Sequence, residues 1–130
     1  MKVLTDIKNL DKFPSIITVG VFDGVHKGHK QVIETLIEEG DKHQYKKIVF
    51  TFQNHPLSSL NPSISPPLLT TFEEKIHIMK DFSLDFLIGI KFDKVFSLYS
   101  VEDFITEILM KKLNMKQLVA GYDATFGKDR

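Results

Sequence analysis

Short apolar runs alternate with helical segments along this chain, and this alternation constrains the fold more than any other feature. The runs span residues 16–21, 47–52, 85–90 and 117–121. The first, Ile-Ile-Thr-Val-Gly-Val, is nearly continuous in apolar residues, as a strand buried on both faces would be. Strands that alternate with helices favour right-handed crossovers. The sequence therefore predicts an α/β protein with a parallel sheet and helices on both faces.

Three helices are predicted, one in each interval between successive strands. The first is expected to end at Gly40, and its inward face is predicted to carry Val32, Ile33, Leu36 and Ile37. Residues 71–74, Thr-Phe-Glu-Glu, have the pattern of a capping box and predict a helix start. Another helix begins at Ser100. With 130 residues and no segment resembling a linker, we expect a single domain, 1–130.

Charge and cysteine content exclude several classes of function. The 17 basic and 17 acidic residues balance, which gives no electrostatic reason to expect a nucleic acid or a membrane as partner. The absence of cysteine excludes disulfides, thiolate metal sites and cysteine nucleophiles. No signal peptide is evident, and no apolar run approaches the roughly 18 residues of a membrane span. We therefore expect a cytoplasmic protein.

The turn after the first strand carries the strongest functional signal. It is rich in Gly and Asp, and His26 and His29 stand three apart where a helix begins. Backbone N–H groups at a helix N-terminus bind phosphate, and two imidazoles can stabilise the charge that develops in phosphoryl or nucleotidyl transfer. The segment matches neither a P-loop nor the G-x-G-x-x-G fingerprint. The pattern favours nucleotide chemistry.

Two other interpretations of these histidines stay open. Both could merely cap and solvate the start of the helix, or they could hold a metal ion, although no further His, Cys or pair of carboxylates stands nearby in the sequence. We expect His29 to be exposed in a crevice, so that its replacement barely affects folding. His43 and His77 are expected to be surface residues.

Three segments with polar or special residues follow predicted strands: 22–29, 53–67 and 122–130. In open α/β sheets, ligands bind beyond the carboxyl ends of the strands. We therefore expect these segments to converge on one crevice.

Residues 20–29, Gly-Val-Phe-Asp-Gly-Val-His-Lys-Gly-His, closely resemble the nucleotide-binding signature of the bacterial FAD synthetases, members of the nucleotidyltransferase superfamily with its His-x-Gly-His motif. Residues 51–56, 69–75 and 119–130 resemble further segments of that family, in the same order. The resemblance covers residues 16–130. It implies a Rossmann-like nucleotidyltransferase fold, and the reaction of the FMN adenylyltransferase module, in which ATP and FMN give FAD and pyrophosphate with Mg²⁺.

The resemblance also implies roles for individual residues. The two catalytic residues, facing the α-phosphate, would be His26 and His29. ATP would be held by Gly20, Phe22, Asp23, Gly24, His26, Gly28 and His29. The flavin would be held by Asn54, His55, Pro56, Asp123 and Phe126. ATP and FMN are thus the implied partners, and a riboflavin kinase module accompanies this domain in longer family members.

The chain departs from the family pattern in three respects. Asn54 stands where the family usually has proline, and Ala124 stands where it has phenylalanine. The chain ends at Arg130, so we expect a nucleotidyltransferase fold that is C-terminally incomplete and lacks the kinase module. Two alternatives stay open: a truncated or degenerate nucleotide- or flavin-binding domain without turnover, and a sibling nucleotidyltransferase that uses another phosphorylated acceptor.

Overall fold

A computed structural model of the chain describes residues 1–8, 10, 12–22, 27–53 and 71–120. Within these residues a parallel sheet is formed by β1 (Lys2–Leu4), β2 (Ser15–Val19), β3 (Lys46–Phe52), β4 (Phe86–Ile90) and β5 (Met115–Leu118). The spatial order is β1-β4-β3-β2-β5, and each neighbouring pair is parallel. The predicted parallel α/β sheet is confirmed.

The helices connect these strands. They are α1 (Lys27–His43), α2 (Phe72–Met79), α3 (Lys94–Ser97) and α4 (Val101–Asp103), and α4 continues directly as a π-helical segment, Phe104–Met110. In the part of the chain that the structure describes, no helix is long and apolar enough to cross a membrane.

Helices cover both faces of the sheet, as the alternating pattern predicts. On one face α1 and α2 pack against the strands, and the buried side chains there include Ile16, Ile33, Leu36, Val49, Met79 and Leu87. On the opposite face the π-helical segment packs, and the buried side chains include Ile17, Ile48, Phe50, Ile88, Phe104 and Ile108. β2 is completely buried because it lies between these two layers.

The prediction that the first helix ends at Gly40 is wrong. The helix continues to His43, and the chain turns at Gln44, whose φ of 60° lies in the left-handed region. The Tyr45 N–H then donates to the Gly40 carbonyl at 2.9 Å, which closes the helix end. Gly40 itself is buried, and a Cβ there would collide with the side chain of Lys47. This glycine therefore permits close packing of α1 on the sheet.

The capping box at the start of α2 is confirmed. Glu74 N–H donates to the Thr71 hydroxyl at 3.1 Å, and Thr71 N–H donates to the Glu74 carboxylate at 3.1 Å. Ser100 likewise caps α4 through the Asp103 N–H. The short elements β1 and α3 were not predicted, because three or four residues are too few to show a period.

We expect Gly89→Ala to destabilise the protein by about 1–3 kcal/mol, the usual cost of overpacking a core. Gly89 is buried in β4, and a Cβ there would overlap the ring of Phe72 at the start of α2. The change is measured as the free energy of unfolding in urea.

The double variant Gly89→Ala/Phe72→Ala is the control, because removal of the ring makes room for the new methyl group. The two substitutions are expected to couple favourably in a double-mutant cycle. An unchanged stability of Gly89→Ala alone would contradict the described packing of α2 on β4.

Candidate functional site

The order of the strands reverses at β2. β3, the next strand along the chain after β2, lies on one side of β2, and β5 lies on its other side. Ligands of open α/β sheets bind outside the carboxyl ends of the strands at such a reversal. The three segments predicted to converge leave the sheet from β2, β3 and β5, which are adjacent strands. Residues 23–26, 54–70 and 121–130 lie outside the described residues, so the structure describes 22 and 27–29 of the first segment, 53 of the second and none of the third.

The turn that follows β2 is held by β3. The Gly20 N–H donates to the Phe50 carbonyl at 3.1 Å, which extends the strand pairing beyond the end of β2. One residue later, the buried hydroxyl of Thr51 donates to the Val21 carbonyl at 2.9 Å. The chain therefore leaves the sheet along a fixed path before it reaches the segment with the predicted phosphate contacts.

Phe22 gives this turn its shape. Its φ is 53°, in the left-handed region, where a bulky residue costs about 1–3 kcal/mol and where residues of functional sites are over-represented. Its ring is 2% exposed and packs in the core beneath α1 and α2. A Cβ on Gly20 would lie 3.0 Å from Phe22 Cε2, so the glycine makes room for this ring. Only the backbone of Phe22 is therefore suitably placed for contact with a ligand.

His29 lies in the first turn of α1, as predicted, but it is not exposed. Its side chain is 2% exposed, and its ring stands edge-on to the Phe22 ring with 5.2 Å between centroids. The expectation of an exposed histidine is wrong because Phe22 turns inward and packs against it. No acidic side chain occupies the first turn of α1, so no carboxylate there offsets the positive end of the helix dipole. This helix start suits an anion.

Buried polar side chains collect on the α1/α2 face near the carboxyl ends of the strands. Thr18 and Thr51 lie on this face of β2 and β3, since residues two apart along a strand share a face with Ile16 and Val49. Lys75 reaches the same region from α2, and its ammonium donates to the Phe52 carbonyl at 3.2 Å.

Neither Thr51 nor Lys75 is recognisable from the sequence as a residue of the site. A threonine in a strand is ordinary, and lysine is common in amphipathic helices. One signal was available for Lys75, because Phe72, Lys75 and Met79 stand at the i, i+3 and i+7 positions that face a core.

Four of the predicted site residues are described by the structure: Gly20, Phe22, Gly28 and His29. The backbone of Gly28 belongs to the first turn of α1, next to His29. The other predicted site residues lie outside the described residues; they are Asp23, Gly24, His26, Asn54, His55, Pro56, Asp123 and Phe126.

Comparison with known proteins gives consistent sequence matches. A family model described as FAD synthetase matches residues 8–130. A bifunctional riboflavin kinase/FMN adenylyltransferase of Buchnera aphidicola subsp. Schizaphis graminum is 39% identical over the whole chain, and the Escherichia coli K12 protein of the same name is 34% identical. The chain spans 42% of the length of each of these relatives.

A solved structure also resembles the chain. It is a crystal structure of a macrolide-efflux protein from Streptococcus pneumoniae, with a TM-score of 0.80 and 27% sequence identity. The match covers 98% of this chain and 42% of that one. The likeness supports the parallel α/β architecture described above.

We expect Thr51→Val to destabilise the protein by about 1–2 kcal/mol, because it leaves the Val21 carbonyl without its hydroxyl donor. Thr18→Val is the matched control on the neighbouring strand. The Thr18 hydroxyl is buried and has no hydrogen-bond partner among the described residues. Its replacement is therefore expected to be neutral or stabilising. Equal effects of the two substitutions in urea unfolding would contradict a specific role of Thr51 in holding the turn.

Proposed function

This chain belongs to the FAD synthetase family, and on that premise we propose that it transfers the adenylyl group of ATP to FMN, forming FAD and pyrophosphate. The observation that carries the proposal is the turn between β2 and α1. A buried strand ends there, Phe22 adopts a left-handed conformation, and α1 begins with His29 in its first turn. This turn lies beside the reversal of strand order, where nucleotides bind in sheets of this kind.

In the proposed reaction, a phosphate oxygen of FMN attacks the α-phosphorus of ATP, and the bond to pyrophosphate breaks. The attacking phosphate is already a competent nucleophile, so no covalent intermediate with the protein is required. The protein's contribution is then the positioning of both substrates and stabilisation of the developing charge. His26 and His29 are the proposed groups that face the α-phosphate.

The burial of His29 supports a preorganised role. An imidazole packed against the Phe22 ring has few orientations open to it. A donor that is already oriented needs no rearrangement as charge develops in the transition state. We further propose that Gly20, Phe22, Asp23, Gly24 and Gly28 contact ATP along the same turn.

The proposed FMN site lies on the two segments that flank this turn. Asn54, His55 and Pro56 follow β3, and Asp123 and Phe126 follow β5. Because β3 and β5 are the two neighbours of β2, both segments start beside the nucleotide turn. A flat flavin ring requires apolar faces and a few polar edges, which residues of these types provide.

Mg²⁺ is proposed to arrive bound to the phosphates of ATP. Among the described residues, no three His, Asp or Glu side chains are grouped as metal ligands. In sites that bind nucleotide phosphates, Mg²⁺ usually keeps several waters and takes other ligands from the substrate. When bound, Mg²⁺ would neutralise part of the phosphate charge.

The relatives point to a source of FMN. They carry the name of a riboflavin kinase as well as that of an adenylyltransferase. We propose that a riboflavin kinase module, in a longer polypeptide, supplies FMN to this domain. A cytoplasmic location, where ATP is abundant, is proposed for both reactions.

The proposal predicts that the purified chain, incubated with ATP, Mg²⁺ and FMN, forms FAD in equal amount to the pyrophosphate released. Chromatography with flavin fluorescence measures FAD. Saturable binding of ATP or FMN without FAD would indicate a binding domain without turnover. Pyrophosphate release with another phosphorylated acceptor, but not with FMN, would assign a sibling nucleotidyltransferase activity instead.

We expect His29→Ala to reduce the turnover of FAD formation by roughly 10²–10³-fold, the scale for loss of one charge-stabilising donor. Because His29 is buried, the same variant is also expected to unfold at lower urea concentration. His43→Ala, at the exposed far end of α1, is the matched control and should change neither quantity by much. A folded His29→Ala protein with the wild-type rate would remove His29 from the mechanism.

A further inference from the structure

Lys75 occupies a position that helix formation and core packing do not explain. Its side chain is 0% exposed, on a face of α2 that also buries Met79. Burial of an ammonium group is costly unless it is paired. Lys75 is also only the fourth residue of α2, where the positive end of the helix dipole disfavours a cation. An apolar residue would satisfy the core at this position.

The ammonium group of Lys75 instead holds the end of a strand. It donates to the carbonyl of Phe52, the last residue of β3, at 3.2 Å. The next residue, Gln53, is held by β4 in two ways. Its N–H donates to the Ile90 carbonyl at 3.0 Å, and its side-chain amide donates to the Gly89 carbonyl at 2.8 Å. Three hydrogen bonds thus fix two successive residues at the exit of β3.

The exit of β2 is held by other groups. There the Phe50 carbonyl accepts from Gly20, and the Thr51 hydroxyl donates to Val21. The two exits therefore have separate supports, although both lie at the same edge of the sheet. Loss of one support is expected to affect mainly the segment that follows its own strand.

We propose that Lys75 is a positioning residue for the acceptor substrate. It fixes the backbone at Phe52 and Gln53, the last described residues before Asn54 in the sequence. This inference rests on the proposed function, which assigns FMN binding to Asn54, His55 and Pro56. Lys75 acts through Phe52 and Gln53 and does not touch the reacting phosphates. Its loss therefore weakens the use of FMN and spares the use of ATP.

Steady-state kinetics of FAD formation test the proposal with two substitutions. Lys75→Met keeps the length of the side chain but removes its donors, and Lys75→Arg keeps donors. For Lys75→Met we expect the KM for FMN to rise about tenfold or more, the scale for loss of a charged hydrogen bond. The KM for ATP is expected to stay within about twofold of wild type, while Lys75→Arg recovers most of the loss.

Lys80→Met is the matched control, because Lys80 is exposed at the C-terminal end of the same helix. It should leave both KM values unchanged. A parallel rise of both KM values in Lys75→Met, or no change in either, overturns the proposal. If Lys75→Met does not fold, Gln53→Met removes the neighbouring bond to Gly89, and the same selective rise in the KM for FMN is required.

Amide hydrogen exchange supplies a readout that needs no substrate. In Lys75→Met, exchange is expected to accelerate in peptides that contain Gln53 and the residues after it, while β2 and β5 keep wild-type protection. Uniform acceleration over the whole chain indicates a purely structural lysine and overturns the proposal. A wild-type protein that forms no FAD overturns the proposed function and this inference with it. If the wild type is active but Lys75→Met changes the KM for FMN and the KM for ATP equally, only this inference is overturned.

Discussion

The parallel pairing of β2 with β3 is the constraint on which the rest of the structure depends. The two strands are in register from Ser15 opposite Lys46 to Val19 opposite Phe50, and the pairing continues past the end of β2 through Gly20. Because β2 is buried on both faces, a slip of one residue would turn each of its side chains to the opposite packed layer, which fixes the register. The start of α1 is consequently placed at the edge of the sheet by strand hydrogen bonds as well as by packing.

Alternation along β3 gives this edge two different chemical faces. Phe50 and Phe52 point to the side of the π-helical segment, where they meet Phe92, Phe96 and Phe104 edge-on. Thr51, between them, points to the other side and holds the turn after β2. Three successive residues thus form an aromatic layer on one face and a polar support on the other, because strand side chains alternate with a period of two.

Much of the fold could be predicted from the sequence, because the spacing of apolar residues along a segment indicates whether it forms a strand or a helix and which side chains it buries. The four predicted strands all exist, with no end shifted by more than three residues, and the capping box at Thr71 lies where its pattern placed it. The end of α1 was placed wrongly because a glycine serves helix termination and close packing equally well, and Gly40 serves the second. The contact between Gly40 and the side chain of Lys47 on the neighbouring strand β3 shows that this glycine serves close packing, and that contact is visible only in the tertiary structure.

The sequence by itself determined the class of fold, the glycine-rich turn between the first buried strand and its helix, and the family to which the chain belongs. These are local properties, carried by residues that are close together in the chain. The tertiary structure alone decided that His29 is buried against Phe22, that Thr51 supports the turn after β2, and that Lys75 holds the end of β3. Each of these three contacts depends on which strands are neighbours in the sheet. The order of the strands is set by packing between residues far apart in the sequence, and local sequence patterns do not encode it.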